Sequence, residues 1–79
     1  MSAIRINLLT ALRGKTEPLL VCVLVSTVAN ITREQSGDVE GILNVMVADG
    51  LITTTTDVAS DLPAAMLTTR GQAVANQLR

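Results

Sequence analysis

Ser36–Ile52, with the sequence SGDVEGILNVMVADGLI, predicts a helix that ends at a glycine and turns directly into a strand. Its apolar residues recur at the three- and four-residue spacing of one helical face. They are Val39, Ile42, Leu43, Met46 and Val47. Gly50 can adopt the left-handed conformation that caps a helix C-terminus, and the threonines at 53–56 favour a strand. The segment therefore predicts a helix from Ser36 or Gly37 to about residue 49, followed by a strand.

The first helix is predicted to start after Ser2, which can cap it, and to run to about Arg13 before Gly14 ends it. The chain has 79 residues, 48% of them apolar, and it contains no Phe, Tyr or Trp. A chain this short with so many aliphatic residues is expected to gain stability by forming a homodimer. The residues predicted to line the dimer interface are Ile4, Leu8 and Leu9.

A second helix is predicted to start at residues 16–18, Thr-Glu-Pro, because proline is tolerated in the first turn of a helix. It would end at Val28 or Ala29, and residues 30–35 would form the turn before the third helix. The β-branched valines of this segment are also compatible with a buried strand. The length of the segment and its lack of two-residue alternation favour the helix.

The single cysteine, Cys22, lies inside the apolar run 19–25, which predicts a small buried side chain and fits a reducing compartment. Basic residues before this run also allow the hypothesis of a secretory leader within residues 1–29. Glu17 and Pro18 interrupt that pattern, and the apolar run is too short to span a bilayer. We therefore expect a cytoplasmic protein with no membrane partner.

The remainder of the chain predicts a second strand and a last helix. Residues 65–68 can pair with the threonine strand, and the loop 57–64 between them is rich in turn-forming residues. Thr68 or Thr69 can cap a helix over residues 70–78. The inward residues of that helix are predicted to be Ala73, Val74 and Leu78. The predicted core of the whole chain contains Leu20, Leu24, Val28, Leu43, Met46, Leu51, Leu67 and Val74.

The charges are unevenly distributed along the chain, whose formal net charge is −1. The first sixteen residues contain three basic residues and no acid, and residues 17–61 contain all seven acids with Arg33 as their only basic residue. Arg70 and Arg79 follow. The overall charge therefore does not recruit nucleic acid or an anionic membrane, and any such binding must be local.

The order helix, helix, turn, helix, Gly-Leu-Ile strand, loop, strand, Leu-Thr-x-x-Gly, helix resembles the prokaryotic winged-helix regulators, including the multiple-antibiotic-resistance and phenolic-acid-responsive repressor kinds. The resemblance is carried by Leu43 with Met46, by Gly50-Leu51-Ile52 and by residues 67–71, Leu-Thr-Thr-Arg-Gly. It covers nearly the whole chain, which we interpret as one domain over residues 1–79. The implied fold is mainly α with a small β-hairpin (α+β): a winged helix-turn-helix with three helices, a two-stranded wing and a C-terminal helix.

In the family that the chain resembles, the third helix enters the major groove of DNA and the wing touches the backbone or the minor groove. The outward positions of the third helix are Asp38, Glu40, Gly41 and Asn44. The two carboxylates among them would repel phosphates and oppose the counterion release on which most nucleic-acid affinity depends. The residues predicted to contact DNA are Arg33, Gln35, Asn44 and Arg70.

The sequence lacks the patterns typical of enzymes. It contains no histidine or tyrosine, no ligand set spaced for a metal and no glycine-rich phosphate loop. We therefore expect no catalytic residue, no metal and no cofactor. The predicted function is a small dimeric DNA-binding regulator whose partner is double-stranded DNA. The alternative is a winged-helix scaffold whose acidic third helix binds another protein.

Overall fold

The computed structural model describes residues 2–78, which form four helices and a three-stranded antiparallel sheet. In chain order the elements are α1 (Ala3–Leu12), β1 (Leu19–Leu20), α2 (Val21–Thr32), α3 (Ser36–Ala48), β2 (Ile52–Thr56), β3 (Pro63–Leu67) and α4 (Thr69–Asn76). This is the α+β winged helix-turn-helix predicted from the sequence, with one short strand, β1, added to the predicted hairpin. We call β2, the loop 57–62 and β3 the wing.

The sheet has the strand order β1-β3-β2, so β3 is its central strand. Ile52 pairs with Leu67 at one end of the hairpin and Thr56 pairs with Pro63 at the other. On its second edge β3 pairs with β1 through Ala65 and Ala64. Both alanines are buried, and their small side chains let the helices pack closely over the sheet.

α1 lies at the centre of the core, whereas its residues Ile4, Leu8 and Leu9 were predicted to line a dimer interface. The Ser2 hydroxyl accepts a hydrogen bond from the Arg5 backbone N–H at 3.3 Å and caps the helix as expected. Leu8 and Leu9 are fully enclosed by side chains of the same chain, and Ile4 is buried with them. The prediction that these three residues line a dimer interface is therefore wrong, because Leu8 and Leu9 have no exposed surface and Ile4 is only 9% exposed.

α2 begins and ends later than predicted. Leu19 and Leu20 pair with β3 instead of forming helix, so α2 starts at Val21 and the predicted start at residues 16–18 is wrong. The helix continues through Thr32 and ends at Arg33, whose φ of 60° is left-handed. The sequence could not show this, because the partner of β1 lies more than forty residues away in the chain.

The α2 boundary also changes which side chains face inward. Leu24 and Val28 are buried as predicted, whereas Leu20 is half-buried beside β3. Cys22 is exposed, so the prediction of a buried cysteine is wrong. In α4 the predicted inward residue Ala73 is exposed and Ala75 is buried instead, while Val74 and Leu78 are half-buried. The other predicted core residues, Leu43, Met46, Leu51 and Leu67, are buried.

The junction between α3 and the wing is fixed by the Leu-Thr-x-x-Gly segment. Gly50 ends α3 with a φ of +77°, and its carbonyl accepts a hydrogen bond from the Thr68 hydroxyl at 2.6 Å. The same hydroxyl accepts from the Gly71 N–H at 3.0 Å and so caps α4. The Thr68 N–H donates to the Leu51 carbonyl at 3.0 Å. Thr68 therefore joins the end of α3, the start of β2 and the start of α4.

Gly71 is required by this junction for space. A Cβ at this position would overlap the backbone carbonyl of Leu51 and press on the side chain of Leu67. The glycine of the motif therefore lets α4 approach the α3–β2 connection closely. Within residues 2–78 the longest helix has thirteen residues, and none is long and apolar enough to cross a membrane.

Candidate functional site on the helix-turn-helix

The helix-turn-helix consists of α2, the turn 33–35 and α3. The Thr32 hydroxyl donates to the Val28 carbonyl at 2.8 Å, and the left-handed Arg33 then reverses the chain. The Gln35 carbonyl accepts the first backbone bonds of α3, at 3.0 and 3.1 Å, without a side-chain cap. Arg33 and Gln35 are both exposed. The turn therefore presents a cation and an amide to solvent at the N-terminal end of α3.

α3 buries one face and exposes the other along its whole length, which is about 20 Å for thirteen residues. Val39, Leu43 and Met46 are buried against the core. The exposed face carries the four outward positions predicted from the sequence: Asp38, Glu40, Gly41 and Asn44. The helix is thus free to enter a groove or to receive a partner, with two carboxylates in its N-terminal half.

The wing adds negative charge beside α3 and no positive charge, since residues 52–67 contain no lysine or arginine. The side chains of Thr53–Thr56 are exposed. At the wing tip the Asp57 carboxylate accepts hydrogen bonds from the Ser60 N–H at 3.0 Å and the Ser60 hydroxyl at 2.8 Å. Asp61 is exposed. The wing therefore has no side chain that can neutralise a phosphate.

Arg70 does not lie with the other three residues predicted to contact DNA. It lines a pocket of about 600 Å³ at the C-terminal end of α3, together with Arg5 and Asp49. The Arg5 Nη2 atom lies 4.0 Å from the Asp49 Oδ2 atom in this pocket. Arg33 and Gln35 are exposed at the opposite end of α3, and Asn44 is exposed further along the helix, so Arg70 lies apart from the turn.

A groove that sequence analysis missed lies between α2, α3 and β3. Its volume is about 380 Å³, and its lining is mainly apolar. The lining residues are Val21, Cys22, Val25, Ser26, Ser36, Glu40 and Pro63. The groove depends on the pairing of β1 with β3, because that pairing sets the start of α2 beside Pro63. No short-range pattern in the sequence indicates such a pairing.

The charged residues of the turn, α3 up to Asn44 and the wing are almost all acidic. Arg33 is the one cation there, against Glu34, Asp38, Glu40, Asp57 and Asp61. Among residues 2–78 no three His, Cys, Asp or Glu side chains are grouped so as to hold a metal ion. The arrangement can therefore offer amide and hydroxyl hydrogen bonds to a partner, but only one charge to an anionic partner.

Solved structures confirm the resemblance of the fold to winged-helix regulators. A MarR family transcriptional regulator of Silicibacter pomeroyi DSS-3 matches with a TM-score of 0.71 and 20% identity over 96% of this chain and 50% of that one. A candidate DNA-binding protein of Ralstonia eutropha JMP134 matches with a TM-score of 0.64 and 17% identity over 98% of this chain and 95% of that one. The chain spans about half the length of the Silicibacter protein. No protein-family model and no characterised protein sequence matches it.

Proposed function

We propose that this protein is a small DNA-binding regulator that contacts double-stranded DNA through α3. The observation that carries the proposal is the exposed face of α3 in a winged-helix fold. Two of the matching structures are named as a transcriptional regulator and as a candidate DNA-binding protein. In this fold the helix after the turn lies in the major groove. The same neighbours argue for a binding protein over an enzyme.

The exposed polar residues of the turn and of α3 have distinct roles in this proposal. Asn44 can form the paired hydrogen bonds that select adenine, and Gln35 has the same amide chemistry near the turn. Arg33 neutralises a phosphate and positions the helix. Because Asp38 and Glu40 are both exposed on α3, the electrostatic part of the affinity is small, and specific hydrogen bonds carry a large share of it.

The regulator is proposed to act as a homodimer in the cytoplasm, where DNA is accessible. The interface cannot be formed by Ile4, Leu8 and Leu9, which are in the core. The apolar side chains that a second copy can cover include Val23 and Ile31 on α2, which are 57% and 62% exposed. A two-fold dimer would place two α3 helices about one turn of DNA apart, or a multiple of it.

An electrophoretic shift assay at low salt tests the proposal. The purified chain is titrated into random duplex DNA and then into a library from which bound sequences are selected. We expect weak binding to random duplex, a shallow salt dependence and enrichment of sites that contain adenine opposite Asn44. If neither the random duplex nor the selected pool shifts at low salt, DNA binding is excluded.

A second candidate function is favoured by the acidic face itself. Asp38 and Glu40 are exposed on α3, and the adjoining wing carries Asp57 and Asp61 without a cation. Such a surface suits a basic protein better than a polyanion, because like charges brought together cost binding free energy. The alternative function is therefore that of a winged-helix scaffold that binds another protein through α3.

A further inference from the structure

The groove between α2, α3 and β3 has the shape and lining of a site for one or two aliphatic side chains. Its volume of about 380 Å³ is at the small end of the range for ligand sites. Val21, Val25 and Pro63 supply apolar walls, and Ser26 and Ser36 supply hydroxyls. Apolar side chains that enter it would lose contact with water, which favours binding.

The lining of the groove contains one charged residue, Glu40, which is exposed on α3. Leu62, which precedes the groove residue Pro63, is exposed and adds apolar surface at the wing. An apolar groove with a carboxylate in its lining is complementary to a segment that combines apolar anchors with a lysine or arginine.

We propose that this groove binds a basic amphipathic segment of a partner protein, with its aliphatic side chains between α2 and β3 and a cation against Glu40. The inference rests on the second candidate function, binding of a protein through α3, and names the partner chemistry for it. A segment bound here covers the N-terminal half of α3, so it excludes DNA from the same face.

Cys22 supplies a direct measurement of occupancy. It is the only cysteine of the chain, its thiol is exposed, and it lines the groove. The rate at which iodoacetamide alkylates it therefore reports whether the groove is covered. The probe is a synthetic leucine–lysine peptide of helical period, and its control is the same peptide with every lysine replaced by glutamate. We expect the lysine peptide to slow alkylation in a saturable way and the glutamate peptide to have no effect.

Matched variants separate the groove from general electrostatics. Glu40→Lys reverses the charge at the groove rim, and Glu17→Lys makes the same change in net charge at an exposed residue outside the lining. We expect Glu40→Lys to lower the affinity for the lysine peptide about fivefold and Glu17→Lys to leave that affinity unchanged. Prior reaction of Cys22 with N-phenylmaleimide should abolish peptide binding, because the ring fills the groove.

Three outcomes would overturn the inference. In the first, a saturating concentration of the lysine peptide leaves the alkylation rate of Cys22 unchanged. In the second, Glu40→Lys and Glu17→Lys lower the affinity for the lysine peptide by the same factor. In the third, random duplex DNA protects Cys22 and the lysine peptide does not, which assigns the groove to the DNA-contacting face. An electrophoretic shift assay with DNA is run in parallel. The two proposals can then fail separately, because Cys22 alkylation reports peptide binding and the shift reports DNA binding.

Discussion

The two ends of α3 are built in different ways. At its C-terminal end the backbone of Gly50 and Leu51 is hydrogen-bonded to Thr68, and Gly71 packs against it without room for a methyl group. At its N-terminal end Asp38 is exposed, and the groove beside Glu40 is open. The first end fixes the fold, and the second is free to determine the partner. Substitutions at the two ends should therefore affect different measurements.

The largest loss of stability is expected from Leu43→Ala, in the buried middle of α3. Removing a fully packed leucine side chain leaves a cavity and should lower the free energy of unfolding by about 2–5 kcal/mol. Urea denaturation followed by circular dichroism measures it. Val45→Ala on the exposed face of the same helix is the control, with little change expected. Equal midpoints for the two variants would contradict the register of α3 described here.

Gly71→Ala tests the close approach at the C-terminal end. Alanine is the better helix former, yet its Cβ would overlap the Leu51 carbonyl, so we expect a loss of about 1–3 kcal/mol. Gly41→Ala makes the same change on the exposed face of α3, where a Cβ meets nothing within 4 Å. That variant should gain about 0.5–1 kcal/mol. Thermal unfolding measures both variants. The interpretation is wrong if Gly71→Ala and Gly41→Ala shift the unfolding temperature in the same direction.

Thr68→Ala removes the hydroxyl that caps α4 and binds the Gly50 carbonyl. The expected loss is about 1–2 kcal/mol, somewhat more than that of an ordinary cap, because two hydrogen bonds disappear together. Thr68→Ser retains the hydroxyl and should restore most of the stability. Thr69→Ala, one residue later and exposed, is the control. If the Thr68→Ser protein were no more stable than Thr68→Ala, the hydroxyl would not be the group that stabilises this junction.

The N-terminal end should respond in binding and not in stability. The double substitution Asp38→Ser with Glu40→Arg should change the unfolding free energy by no more than about 0.5 kcal/mol, because both side chains are exposed. If α3 binds DNA, the variant binds random duplex more tightly than the parent. If α3 binds a basic protein segment, the variant no longer binds the lysine peptide. Shift assays and peptide titrations on the same preparation distinguish these results.

The smallest expected effect concerns single contacts to DNA. Arg33→Ala should weaken binding to every duplex and reduce the salt-dependence slope by about one, since one phosphate contact is lost. Asn44→Ala should instead relax the preference at one base pair and leave the slope unchanged. Arg70→Ala, at the other end of α3, should change neither quantity. If Arg70→Ala reduced the salt-dependence slope as much as Arg33→Ala does, Arg70 would also contact DNA and the proposed interface would be wrong.

The sequence by itself determined α1, α3, the hairpin and the cap of α4, because these depend on neighbours within a few residues. The periodic apolar residues of α3, the glycine at 50 and the threonine at 68 are all local features. The order of these elements was sufficient to predict the winged-helix fold. The same local information showed that the exposed face of α3 is acidic.

Tertiary structure alone decided where α2 starts, what α1 packs against and where the groove lies. Leu19 and Leu20 are suited to a helix, but their pairing with Ala65 and Ala64 fixes them as a strand, and tertiary contacts override such weak local preferences. Leu8 and Leu9 became core because helices from both halves of the chain close over them. Contacts between residues distant in sequence depend on how whole elements pack, and no short segment of the chain contains that information.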